Sequence, residues 1–186
     1  MMGHDGVTRL SDTEAFGGRD HDCYDTTIMN DYCSGFREAL ANVFSGITYT
    51  PGDGTKVYGL NGRVYDTKAQ NNQIIRFPDG LEIYNYGFYT GPLNQEHSSG
   101  GYVGFLDIDV NGPKNPNILG RDIFNLFIGQ NGTIYANGSQ AFSEMTSGDP
   151  NKYYWKTTEF GGYDCKVSSW GSGCGARVLD EDKMDY

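Results

Sequence analysis

No run of Lys or Arg occurs anywhere in this chain, and with 24 acidic against 14 basic residues its net charge is -10. With a sequence pI near 4.6, it repels phosphate backbones and anionic lipid heads, which excludes nucleic acid as the expected partner. Cys-x-x-Cys pairs are also missing, so a zinc site built from Cys23, Cys33 and His21 has the wrong spacing for the common structural types. No repeat, linker or low-complexity tract divides the sequence. Its 186 residues fit one domain, residues 1–186, with enough chain to bury a sizeable core. Residues 1–20 contain no apolar run resembling a signal peptide or a membrane helix.

What the chain has is aromatic and glycine-rich. Fourteen Tyr and ten Phe supply much of the apolar area, although the hydrophobic fraction is only 37%. Twenty-seven Gly, with repeated Asn-Gly and Asp-Gly pairs, favour short strands and many turns over long helices. Four cysteines suit an oxidising compartment. Two local disulfides, Cys23 with Cys33 and Cys165 with Cys174, are the simplest pairing, each stabilising by roughly 2–3 kcal/mol on the chain-entropy model. The other two connectivities stay open, as does a cytosolic protein with four reduced thiols. An exported chain without an apolar leader reads as an internal segment whose leader lies upstream.

Along the chain, residues 1–32 read as loop. From Ser34 the pattern becomes helical, with Phe36, Leu40 and Val43 on one face and Gly46 placed to end the helix. Hairpins follow. Val57-Tyr58 and Val64-Tyr65 flank Asn61-Gly62, and Ile74–Phe77 turns at Pro78-Asp79-Gly80 into a strand over Leu81–Tyr89, the longest expected. Strands over Phe105–Asn111, Ile123–Ile128 and Thr133–Ala136 extend a meandering antiparallel sheet. Asn137–Gly173 reads as a long excursion pinned by Cys165 and Cys174, and Ala176–Leu179 as a last strand.

The stretch Gly101–Gly138 is the best candidate site. Strand alternation puts Phe105, Asp107, Asp109 and Asn111 on one face of its first strand, which leads into the turn Asn111-Gly112-Pro113. Asp107 or Asp109, Asn111, Asp122 and a loop carbonyl form a calcium set of hard oxygen ligands. Read as an EF-hand loop, the segment lacks the bidentate Glu at its twelfth position, which is Ile118. The plainer alternative has Asp109 and Asn111 bonding their own turn while Asp122 pairs with Arg121 or backbone amides. A second candidate surface is Tyr153, Tyr154, Trp155, Tyr163 and Trp170, for carbohydrate or subunit contact or as cover for the sheet. Neither His97-Ser98-Ser99 nor Glu82, Glu144 and Glu159 carries a pattern that makes a catalytic triad or a glycosidase dyad. No catalytic residues are assigned, and the chain is expected not to be an enzyme.

Val103–Phe124, with Asp109-Val-Asn-Gly-Pro-Lys, Pro116-Asn117 and Gly120-Arg-Asp-Ile-Phe, resembles the extracytoplasmic part of bacterial type IV pilin-like proteins, including pseudopilins of type II secretion. Cys174-Gly-Ala-Arg-Val-Leu and Lys183-Met-Asp-Tyr186 resemble the closing strand and tail of that family, and Thr13-Glu-Ala-Phe16 the stretch after its long helix. The resemblance implies an α+β globular head, short helix then antiparallel sheet, that follows a hydrophobic N-terminal helix this sequence lacks. It implies a structural subunit of a homo- or hetero-filament, in contact with other pilin-like subunits and with secretion or pilus assembly machinery. Localisation would be periplasm or cell surface, with the precursor anchored in the inner membrane only through that helix. The rival reading is a secreted carbohydrate-binding module with a structural calcium; a secreted hydrolase comes third.

Overall fold

The computed structural model describes residues 34–68, 73–88, 102–129, 132–157 and 164–183. The expected loop over 1–32, the Cys23–Cys33 pair, His97-Ser98-Ser99, Glu159 and Tyr163 lie outside the described residues. The architecture is α+β, as the sequence predicts. Among the described residues helix α1 (Ser34–Val43) comes first, followed by strands β1 (Thr48–Pro51), β2 (Lys56–Tyr58), β3 (Val64–Thr67), β4 (Gln73–Arg76), β5 (Glu82–Phe88), β6 (Tyr102–Asp109), β7 (Ile123–Gly129) and β8 (Ile134–Ala136). Helices α2 (Gln140–Ser147) and α3 (Cys174–Glu181) close the chain. Among the described residues no helix is long and apolar enough to cross a membrane.

Among the described residues six strands form one antiparallel sheet in the order β1-β4-β5-β6-β7-β8, and β2 and β3 pair as a separate hairpin. From β4 to β8 each strand lies beside the one before it, through a short turn between β4 and β5 and between β7 and β8 and a longer connection between β6 and β7. Gly80, at φ 95, lets Pro78-Asp79-Gly80 fold back, and the amide of Phe77 donates to the carbonyl of Leu81. β6, at eight residues, is longer than the described β5.

Each sheet face carries a buried core over β4, which explains the successive apolar pair Ile74-Ile75 there. Ile75 joins Phe36 of α1 with Ile83, Tyr86, Leu106 and Ile128 in one core. Ile74 points the other way, into a second core with Val57, Tyr84, Leu119 and Ile123, against which Trp170 packs. A bulge between Ile83 and Asn85 supplies the extra residue that brings Ile83 and Tyr86, three apart, into the same core. The hairpin sits over the second core, held by Tyr58 N–H to Asn117 O at 2.9 Å and Leu119 N–H to Tyr58 O at 2.8 Å.

Three local expectations are corrected. Val43 is 68% exposed although it shares the helical face of Phe36 and Leu40, because the chain turns at Gly46, φ 79, just past the part of α1 that meets the sheet. The excursion after Asn137 contains α2, whose N-cap Ser139 accepts from Phe142 N–H and whose C-cap Gly148 is left-handed. Phe142 stacks on Phe127 with centroids 4.5 Å apart. The expected strand over Ala176–Leu179 is helical. Cys174, Gly175 and Ala176 are buried in succession, which a strand with alternate faces permits only in a fully enclosed sheet, and Arg177 bonds Glu181 one turn on.

Candidate functional site

Glu82 opens β5 and Asp109 ends β6, and the two are direct partners across the ladder. Both point to the second face, beneath the point where the chain leaves β3 at Lys68. The Lys68 ammonium donates to Glu82 Oε2 at 2.9 Å, Asp109 Oδ2 at 2.5 Å and the Gly112 carbonyl at 3.0 Å. All three of its protons are thereby used. Arg76 adds Nε to Glu82 Oε1 at 2.7 Å, and its Nη2 lies 2.5 Å from the same oxygen. Lys68, Glu82 and Asp109 are at most 1% exposed, so two buried carboxylates are balanced by two cations. Asp109 Oδ1 accepts from the amides of Asn111 at 3.0 Å and Gly112 at 2.9 Å. Burial raises the Asp109 carboxyl, and the bond and charge of Lys68 pull it back.

One step along β6, Asp107 stands between Asn85 and Asn125, its partners on the two neighbouring strands. Asn85 Nδ2 donates to Asp107 Oδ2 at 2.9 Å, and Asn125 Nδ2 donates to Asp107 Oδ1. Burial pushes Asp107 up to about 6, the two amide bonds opposing it. Asn125 Oδ1 and the Tyr84 hydroxyl are buried beside this group and have no hydrogen-bond partner among the described residues. Asp122, raised by burial, accepts Ile118 N–H at 3.1 Å on Oδ1, and Asn111 Nδ2 lies 3.4 Å from its Oδ2.

The four residues of the expected calcium set therefore occupy three settings: Asp107 between amides, Asp109 on an ammonium and its own turn, and Asn111 with Asp122. Among the described residues no group of three or more His, Cys, Asp or Glu is placed to hold a metal ion. The alternation that predicted a shared face for Asp107 and Asp109 holds. What it could not supply was Lys68, 41 residues from Asp109 in sequence. No local pattern marks that lysine. Asn85 and Asn125 did carry a signal, an amide flanked on both sides by aromatic or aliphatic residues within its strand.

The described aromatic residues are split as well. Tyr154 OH and Trp155 Nε1 both donate to Asp180 Oδ2 of α3, at 2.8 and 3.0 Å. Lys156 Nζ lies 5.0 Å and the Arg177 guanidinium 5.4 Å from the Trp155 ring. Tyr153 lies beside Lys152 and anchors to Ser143 of α2 through its amide. Trp170 belongs to a different region, with its ring 5.6 Å from that of Tyr65 and close against Gly59. Tyr154 and Trp155 thus fasten the loop after α2 to the last helix.

That helix forms one wall of an apolar groove of about 280 Å³. Its floor is Ile108, Phe124 and Leu126 of the first sheet face, and its walls include Val110 beyond β6 and Val178 and Leu179 of α3. Val110 is 50% and Leu179 76% exposed, large apolar side chains left open to water. Leu81, Ile108 and Leu126 also pack against the Phe36 core, so the groove is the open continuation of that core. A disulfide from Cys165 to Cys174, one of the two expected local pairs, ties the start of α3 to the preceding loop.

Comparison of the chain with protein-family models, with curated proteins and with solved structures finds no match.

Proposed function

We propose that this chain is the non-catalytic globular head of an extracytoplasmic filament subunit, of the type IV pilus or type II secretion pseudopilus kind. Neighbouring subunits meet it along the groove between the first sheet face and α3. The open groove is the observation that carries this reading: it is apolar, continuous with the core, and flanked by exposed Val110 and Leu179. The order of a helix followed by an antiparallel meander agrees with what the resemblance over Val103–Phe124 implies. The buried Asp107 supports it further, since both of its carboxylate oxygens are taken by the side-chain amides of Asn85 and Asn125.

The test is photo-crosslinking from position 179 in the protein expressed from its own genomic locus, with exposed Glu144 as the control position. Crosslinks from 179 to a pilin-like subunit, absent from 144, are expected. Equal crosslinking from both positions, or none from 179, removes the groove from the interface. Polysaccharide binding by the isolated chain would replace the filament reading with the carbohydrate-binding one.

A further inference from the structure

We propose that Lys68 and Asp109 become joined by an intramolecular amide bond, with Glu82 carrying the proton. The inference is independent of the filament reading. It rests on an amine, a carboxyl group and a second carboxylate in mutual contact, each at most 1% exposed.

Each part of an acyl-transfer site is present. The nucleophile, Lys68 Nζ, lies 2.5 Å from Asp109 Oδ2, close enough for the effective concentration of an intramolecular reaction. The amides of Asn111 and Gly112, 3.0 and 2.9 Å from Asp109 Oδ1, polarise the carboxyl group and stabilise the oxyanion formed on attack. Gly112 presents its amide at φ 66, a left-handed conformation that suits glycine. Glu82 Oε2, 2.9 Å from Nζ, takes a proton from the ammonium, while Arg76 fixes its other oxygen. The ring of Tyr84, with its centroid 5.9 Å from Nζ, belongs to the apolar core that bounds the site and limits water.

Glu82 hands the proton it has taken to Asp109 Oδ2, and the free amine adds to Cγ of the neutral acid, forming the C–N bond, opening the C=O bond to Oδ1 and placing the negative charge on Oδ1. Oδ2 then leaves with two protons that began on Nζ, one of them carried by Glu82, and the Cγ–Oδ2 bond breaks. One ammonium and one carboxylate become one amide and one water, so atoms and charge balance with no oxidant and no co-reactant. Glu82 returns to its starting state. The product links the chain after β3 to the end of β6, a covalent tie between the hairpin and the main sheet.

The experiment is the intact mass of the full chain, denatured and fully reduced. A mass lower than the sequence mass by one water is expected, with a branched peptide containing Lys68 and Asp109 after proteolysis. The branch separates this bond from a succinimide at an Asp-Gly pair, which also loses water but opens in mild base. Glu82→Gln is expected to lose the branch while keeping the wild-type circular dichroism. Asp109→Asn keeps the side-chain shape and should expel ammonia instead, giving a mass one ammonia below that variant's own sequence. A wild-type mass equal to the sequence mass, or a water loss without the Lys68–Asp109 branch, overturns the proposal. An undiminished branch in Glu82→Gln overturns the role given to Glu82.

Discussion

Glu82 and Asp109 face each other across the β5–β6 ladder, and a single ammonium, that of Lys68, bonds both. This relationship fixes three segments of chain at one point: the end of the β2–β3 hairpin, the start of β5 and the end of β6. Replacing Lys68 by Met keeps much of the stem and removes the charge. Two carboxylates are then buried against Arg76 alone, and Arg76 is 36% exposed. Loss of one member of a buried pair costs about 3–5 kcal/mol. Urea unfolding of Lys68→Met, measured against wild-type chain whose intact mass shows Lys68 and Asp109 still an ion pair, should show a loss of that order, well above that of Lys156→Met, whose 4.0 Å pair with Glu181 is partly exposed.

Asp107 should make stability fall as pH rises. Its carboxyl is raised to about 6 from an ordinary value of 3.8, with burial as the leading cause. The folded state therefore binds this proton more tightly than the unfolded state. The resulting contribution is fully present below pH 3.8, declines as pH rises through about 6, and is absent above it. Asp107→Asn removes the titration, and its amide can meet the buried, unpartnered Asn125 Oδ1. The stability of wild type minus that of Asp107→Asn should fall by about 2–3 kcal/mol between pH 4 and 7. Denaturant titrations at several pH values measure the difference, and a constant value would show that Asp107 titrates normally.

Much of this architecture is written in short-range sequence signals. Asn61-Gly62 and Pro78-Asp79-Gly80 mark two hairpins because each needs a backbone reversal, and Gly62 and Gly80 do adopt positive φ. Alternation placed Asp107 and Asp109 on a common face because strand side chains repeat every two residues. The identity of what they meet was not legible, since Lys68 and Asn125 arrive through tertiary pairing. α3 is not legible as a helix, because Cys174-Gly-Ala shows neither alternation nor a helical stripe. Its burial follows from the disulfide and from the close approach of Gly175 to Phe124. The groove was hidden for the same reason: Val178 and Leu179 face it only when that segment is helical.

Two glycines with similar backbone angles should respond differently to Ala. Gly132 has φ 81 and open space where a Cβ would stand, so Gly132→Ala carries only the left-handed penalty, about 1–2 kcal/mol. Gly112 has φ 66, and its Cβ would run into the backbone carbonyl of Gly80. The turn must then move, taking with it the amide that bonds Asp109 and the carbonyl that bonds Lys68. Gly112→Ala should therefore cost more than Gly132→Ala by at least about 2 kcal/mol, in the range of steric and buried-network losses. Thermal melts of the pair give the comparison, and equal shifts would mean that the turn relaxes freely.

The Cys165–Cys174 bond should matter to α3 more than its short loop suggests. Closing a loop with a sequence separation of 9 stabilises by about 3 kcal/mol on the chain-entropy model. Here the bond also holds packed backbone. Trp170 and Ser169 carbonyls accept the amides of Leu60 and Asn61 in the hairpin turn, and a Cβ on Gly120 would meet Cys174 Sγ at 2.9 Å. Opening the loop frees the first turn of α3, and with it Val178 and Leu179 in the groove wall. Cys165→Ser with Cys174→Ser should lower global stability by roughly 2–4 kcal/mol. Hydrogen exchange should quicken in residues 174–181 and at the amides of Leu60 and Asn61, while the β6–β7 amides keep protection set by the lower global stability. Faster exchange spread evenly over all elements would show that the bond acts only on the unfolded chain.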